Sequence, residues 1–294
     1  MTLSLFFQTL IDGIMVGGVY STIAVGLSLA FGVMRIVNWA HGEFLMVSMY
    51  IAFLSVINFG IDPYLSIFIT GPIMFAVGYC LQRFVFNRML DKDESREPLS
   101  ILLFTSGLGI FLSNMATVIF SSNILAVQTR YTSKTIEMGS MIVSVPRLIS
   151  FAIALACTII LYIVIQRTEF GRALRATAQN RHVASLMGIN HKSIYSLAFG
   201  IGLGLVGVSG SLLVPNSAVS PTVGSAFGTK CFIIVVLGGK GSVPGALLGG
   251  LIVGLIEKFG GILWTDAYAS LLVFVLFILI LLFRPSGILG RETS

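Results

Sequence analysis

Gly13-Ile-Met-Val-Gly-Gly-Val-Tyr-Ser-Thr-Ile-Ala-Val-Gly-Leu-Ser-Leu-Ala-Phe-Gly-Val-Met34 runs 22 residues without a charged side chain. A helix needs ~20 predominantly apolar residues to cross a bilayer, so this run is long enough. Seven more charge-free runs follow, at 44–61, 63–82, 98–129, 148–166, 193–229, 241–256 and 267–283. The run at 193–229 is too long for one helix, and Pro215, Pro221, Gly224 and Gly228 interrupt its second half. The pattern predicts nine spans near 5–33, 41–61, 63–85, 98–121, 147–166, 193–214, 224–238, 242–258 and 266–283. Because the first is long enough to kink or split, the count runs from eight to ten.

Composition agrees. Of 294 residues, 56% are apolar and 10% charged, and the mean hydropathy is +0.97. Soluble domains carry roughly 25% charged residues, so this chain cannot cover a water-facing surface. Nine spans of ~20 residues take about 180 and leave roughly 114 for connections. No connection is long enough for a separate domain, and residues 1–294 read as one all-α, polytopic membrane bundle. Cys80, Cys157 and Cys231 are scattered in apolar sequence and form neither a disulfide framework nor a thiolate metal site. No Lys or Arg precedes Arg35, so the first apolar stretch lacks a cleavable signal's basic start and is expected to stay in the membrane.

The net charge is 18 − 12 = +6, and its distribution orients the chain. With an external N-terminus, thirteen bases fall at inner ends: Arg35, Arg83, Arg88, Lys92, Arg96, Arg167, Arg172, Arg175, Arg181, Lys192, Lys240, Arg284 and Arg291. Arg130, Lys134, Arg147, Lys230 and Lys258 fall on the outer side. The C-terminus is then cytoplasmic.

Two inner connections stand out. Segment 83–97 balances four bases with four acids and reads as a solvated connector. Segment 167–192 has five bases, one acid and room for two short helices. Asn180 is its natural break, Gly188 a C-terminal stop, and Asn190 an N-cap for the next span. Arg172 and Arg175 share a face, three residues apart. Val183, Ala184 and Met187 are expected to form a small apolar face. The small residues Gly171, Ala176, Ala178, Ala184 and Gly188 would let such helices seat in a partner's groove.

Among the 32 glycines, Gly13/Gly17, Gly200/Gly204, Gly241/Gly245, Gly245/Gly249 and Gly250/Gly254 have the four-residue spacing that lets helix backbones meet in lipid. Gly238 and Gly239, with Gly245, Gly249, Gly250 and Gly254, are the principal packing candidates. Gly202-Leu-Gly204-Leu-Val-Gly207 copies a dinucleotide fingerprint, but no strand precedes it and packing is the better account. Gly239-Lys240-Gly241-Ser242 lacks the Walker spacing, so nucleotide energy must come from a partner. The polar cluster Asn38-Trp39-Ala40-His41-Gly42-Glu43 interrupts two apolar runs. It reads either as a hydrogen-bonded helix break or as part of a translocation path, since intramembrane polar groups face the bundle or a water-filled cavity. No metal-ligand spacing and no nucleophile–base set is present, so neither a metal site nor catalytic residues are expected.

Taken in order, several segments resemble the branched-chain amino-acid ABC importer permeases of the LivH type. They are Val37-Asn-Trp-Ala-His41-Gly42-Glu43, Gly171…Arg175-Ala176…Ala178…Ala184…Gly188-Ile189, Val236-Leu-Gly238-Gly239-Lys-Gly241-Ser242-Val-Pro244-Gly245…Gly249-Gly250…Gly254…Glu257, and Arg284-Pro285-Ser286-Gly287-Ile-Leu-Gly290-Arg291. Trp39 stands where the family usually has Phe, and Lys240 where it often has an apolar residue. The resemblance implies a bacterial inner-membrane permease subunit that works by alternating access and has no cofactor of its own. Its implied partners are a second homologous permease, an extracytoplasmic substrate-binding protein and two cytoplasmic ATPases, which carry ATP and Mg. The segment 167–192 would couple to those ATPases. Related permeases also carry urea, amides or other amino acids.

An ion-coupled secondary transporter is the alternative. Such proteins tend to hold ionisable groups near the midplane. Asp12, Glu43, Asp62, Glu257 and Asp266 are all expected near span ends, which leaves only Lys230 in its favour.

Overall fold

The computed structural model describes residues 3–34, 36–90, 97–128, 131–132, 134–138, 141–263 and 265–290. Arg35, Lys92, Arg96, Arg130 and Arg291, all used above to set orientation, lie outside the described residues.

The long first run forms one unbroken helix, α1 (Leu3–Met34), so the expected split does not occur. No proline interrupts it. It is followed by α2 (His41–Phe59) and α3 (Ile67–Leu81). A single π-helical turn, Gln82–Phe86, joins α3 to α4 (Asn87–Leu90), and α5 (Glu97–Phe120) comes next. The remaining helices are α6 (Val145–Arg167), α7 (Glu169–Gln179), α8 (Arg181–Leu186), α9 (His191–Leu213), α10 (Val223–Gly238), α11 (Val243–Leu263) and α12 (Asp266–Phe283). Among the described residues, seven helical stretches are long and apolar enough to cross a membrane, Ile67–Leu90 counting as one, and two shorter apolar helices occupy Val223–Gly238 and Ala267–Phe283. The expected short seventh span is thus α10, stopped by Gly239 at φ 102°, a backbone angle that side chains disfavour.

The all-α expectation needs one amendment. Between α5 and α6 the chain forms an antiparallel pair, β1 (Thr135–Met138) and β2 (Met141–Ser144), registered Thr135 to Ser144 and Met138 to Met141. Thr-Ile-Glu-Met and Met-Ile-Val-Ser are β-branched enough to pair once they leave the helices.

The α1 helix forms the axis, packing against α11, α9, α6 and α10. Small residues decide these contacts. A Cβ at Gly254 would stand 2.5 Å from the Gly13 carbonyl oxygen, and one at Gly250 would stand 2.3 Å from Ser21 Oγ. Backbones of α1 and α11 therefore touch, as the glycine spacing predicted. Gly238 and Gly245 meet in the same way, and Gly249 lies on the backbone of Ile234. Gly239 behaves differently. It is the turn after α10, pressed against Gly290 of the C-terminal segment, and packs no helix seam. Cross-helix hydroxyl bonds add to the contact: Ser21 Oγ donates to Leu247 O at 2.9 Å, Thr22 Oγ1 to Ala154 O at 3.0 Å and Ser48 Oγ to Val206 O at 3.2 Å. The core includes Ile23, Leu45, Met49, Leu203, Ile234 and Leu237. Ile110, Val118, Ile160 and Leu282 on α5, α6 and α12 are exposed, forming an apolar outer face of the kind that lipid covers.

Candidate functional site

The break between α1 and α2 does not lie at the edge of the bundle. His41 Nε2 is 3.0 Å from the carbonyl oxygen of Ile23. Ile23 is eleven residues before the end of α1, or about 16 Å along the axis at 1.5 Å per residue. Residues 36–40 thus climb back beside α1, and α2 begins inside the protein. Two side chains shape the turn. Asn38 Oδ1 accepts from Ala40 N at 3.1 Å, and Thr105 Oγ1 of α5 accepts from Trp39 N at 3.2 Å. Glu43 was expected near a span end; it is in the first turn of α2, but that turn is interior.

A cavity of about 500 Å³ opens at this break. Asn38, His41 and Glu43 line it, facing Ser106 and Ser113 of α5 and Ser225 and Thr229 of α10. Gly42 does not line it. A Cβ at Gly42 would stand 2.1 Å from the Gly224 carbonyl oxygen and 2.6 Å from Gly228 Cα, so Gly42 is where α2 touches α10. Gly224 in turn leaves room for Glu43, whose carboxylate would be 2.2 Å from a Cβ there. Among the described residues, Glu43 Oε2 and Asn38 Nδ2 are buried without hydrogen-bond partners. The residues of the cluster differ in what they touch. His41 and Gly42 hold α2 to α1 and α10, while Glu43 keeps an unpaired, buried carboxylate oxygen beside a polar space. Gly109, Gly224 and the α10 hydroxyls were missed by sequence reading, because only the fold brings α5 and α10 against residues 38–43.

Segment 167–192 forms the two expected short helices. Thr168 caps α7 by accepting from Gly171 N, and Asn180 caps α8 by accepting from His182 N and Val183 N. Gly188 has φ 83°, and Asn190 caps α9 by accepting from Ser193 N. Several side chains do something other than expected. Gly171 is buried in the elbow between α6 and α7, where a Cβ would collide with the Ile165 carbonyl. Arg175 donates to that same carbonyl, holding the elbow, while Arg172 is exposed and pairs with Glu169 at 3.4 Å. The shared face of Arg172 and Arg175 is therefore split between an outward and an inward task. Ala184 is buried, so the apolar face of α8 comprises Val183, Leu186 and Met187, with Leu186 86% exposed. Leu186 was not singled out from sequence; its i+3 spacing from Val183 was the available signal. Ala176 and Ala178 are half-buried, and Gly188 has open space around its Cα.

Lys230 lies halfway along α10, and its Nζ donates to Glu257 Oε1 at 2.9 Å. Tyr20 OH donates to the same oxygen at 3.2 Å. Glu257 was expected at a span end, but α11 continues to Leu263 and leaves it interior. Partner charge explains the difference: a neutralised carboxylate need not end a buried helix. Asp12 is likewise inside α1, paired with Arg147 at 3.0 Å. Among the described residues no group of three His, Cys, Asp or Glu is arranged to hold a metal.

Residues 9–281 match the family described as "Branched-chain amino acid transport system / permease component". The chain is 34% identical to the high-affinity branched-chain amino acid transport system permease protein BraD of Pseudomonas aeruginosa, over 97% of this chain and 96% of that one. It is 31% identical to the corresponding permease protein LivH of Escherichia coli K12, over the same shares. A probable branched-chain amino acid transport permease of Methanocaldococcus jannaschii is 26% identical over 92% of this chain and 88% of its own. No solved structure matches the chain.

Proposed function

The chain belongs to the family of branched-chain amino acid transport system permease components, and from that premise we propose how its geometry serves transport. It is the membrane permease of an ABC importer and makes or breaks no covalent bond. We assign it branched-chain amino acids as substrates, because the relatives that match along nearly all their length carry that name. The relatives do not favour the ion-coupled alternative. The nine apolar helices of the described residues serve as nine crossings of the bacterial inner membrane, with the N-terminus outside, the C-terminus cytoplasmic and residues 1–294 acting as one domain.

The observation that supports a path through this chain is the 500 Å³ cavity at the interior helix break. Backbone interrupted within a membrane bundle is tolerated where protein or a water-filled cavity surrounds it. Asn38, His41 and Glu43 are its polar wall, and Gly42 and the α10 glycines permit α2 to tilt against α10 as access alternates. On the cytoplasmic side, α7 and α8 are the ATPase-coupling element. Val183, Leu186 and Met187 enter a groove on the partner, with Arg172 at its rim. Gly171 and Arg175 transmit the push by stiffening the elbow to α6. A second homologous permease, two ATPases holding ATP and Mg, and an extracytoplasmic binding protein complete the importer.

Reconstitution tests this assignment. Proteoliposomes holding the full assembly should take up labelled leucine only with internal ATP and external binding protein, and this chain alone should neither bind nor hydrolyse ATP. Uptake by this chain alone, driven by an ion gradient, would overturn it.

A further inference from the structure

A second cavity, of about 290 Å³, lies between α1, α6, the end of α9, α10 and α11, and the Lys230–Glu257 pair stands in its wall. It is distinct from the cavity at the helix break. At 100° per residue, Phe227 and Lys230 face away from Gly224, Gly228 and Phe232, so α10 separates the two spaces.

Its chemistry is unusual for a bundle otherwise held by glycine and hydroxyl contacts. The Lys230 ammonium sits 5.2 Å from the Tyr20 ring centroid and 5.6 Å from that of Phe227. The Glu257 carboxylate uses only one oxygen. Oε1 receives Lys230 and Tyr20, while Oε2 is buried with no hydrogen-bond partner among the described residues. Arg147 and Lys258 also line the space, Arg147 being held by Asp12. Met15, Val19 and Leu213 supply an apolar wall. A half-buried ion pair, as this one is, contributes little net stability compared with apolar residues of the same volume, so packing alone does not require it. Ionisable groups inside a membrane protein are associated with substrate pathways.

We propose that this cavity is a binding site for a zwitterionic amino acid with an aliphatic side chain, in which Lys230 takes the α-carboxylate and Glu257 the α-ammonium. The proposal rests on the substrate class assigned above. The pair is preset for exchange. A zwitterion entering between the two side chains replaces each charge's partner with another of the same sign, so neither is left unpaired. Oε2, buried in the resting pair, has no hydrogen bond to lose when the carboxylate turns toward the ammonium. The side chain then lies on Met15, Val19 and Leu213. An anion or a cation alone satisfies only half of the pair, which gives selectivity for zwitterions over acids or amines of similar shape.

The complete importer in proteoliposomes provides the test. In the double variant Lys230→Met/Glu257→Gln both charges are gone, so no buried charge is left unpaired and the helices can still pack. Leucine uptake should fall on the order of tenfold or more, with the subunits still copurifying as one assembly. Wild-type uptake by the double variant would overturn the site and leave the importer assignment standing, whereas absence of amino-acid uptake by the wild-type assembly would overturn the assignment itself. Ser217→Trp decides the matter should the double variant fail to assemble. It fills the cavity from the α9–α10 connection with the ion pair intact, so it should abolish uptake. Unaltered uptake in that variant would refute the proposal.

Discussion

At residue scale, the polar cluster shows how neighbours in sequence divide their tasks. His41 is buried and bonded to the Ile23 carbonyl, so it fastens α2 to α1. Glu43, two residues on, has a carboxylate oxygen with no partner among the described residues. Replacing them should therefore lower uptake with different effects on stability. His41→Ala removes a buried hydrogen bond and should cost about 1–3 kcal/mol, lowering the Tm of the purified assembly along with uptake. Glu43→Gln keeps the shape and should leave Tm unchanged while uptake falls. A Glu43→Gln assembly that melts earlier yet transports at wild-type rate would remove Glu43 from the path. The sequence alone made Asn38, His41, Gly42 and Glu43 one candidate set, because intramembrane polar residues are uncommon whatever they do. It could not separate them, since the separation depends on which atoms of α1 and α10 each side chain meets.

At the scale of elements, α7 and α8 were legible almost in full. Caps act locally, through bonds spanning two or three residues, so the break at Asn180 and the cap at Asn190 were readable without tertiary help, while Thr168, the cap of α7, was not singled out. Facing is another matter. The hidden side of α8 holds Ala184 and the exposed side holds Val183, Leu186 and Met187, an arrangement set by where α7 and α9 lie. This predicts that Leu186→Asp weakens copurification of the ATPases and lowers uptake, while the permease inserts and folds as before. Arg175→Glu acts differently, because its guanidinium holds the Ile165 carbonyl at the elbow. It should lower the permease's own thermal stability, by about 1–3 kcal/mol. Equal ATPase retention by wild type and Leu186→Asp would exclude α8 as the docking tip.

For the whole molecule, orientation is the property most open to direct measurement. The inner bias of Lys and Arg predicts α8 in the cytoplasm and the α5–α6 connection outside. Ile124 in that connection is 76% exposed and Leu186 on α8 is 86% exposed. In a Cys80→Ser/Cys157→Ser background, Ile124→Cys should react with a membrane-impermeant thiol reagent added to intact cells. Leu186→Cys should react only in inside-out vesicles. The reverse pattern would invert the topology. What the sequence determined by itself was the solvent, the positions of the apolar helices, the break at Asn180 and the cap at Asn190. Each of these follows from composition or from bonds within a few residues. Only the tertiary structure decided that the α1–α2 break re-enters the bundle, that Gly42 abuts α10, and that Lys230 finds Glu257 from 27 residues away. The apolar runs look alike to a one-dimensional reading. Which of them become neighbours is settled by close backbone contact and by charge pairing, and both are properties of two helices taken together.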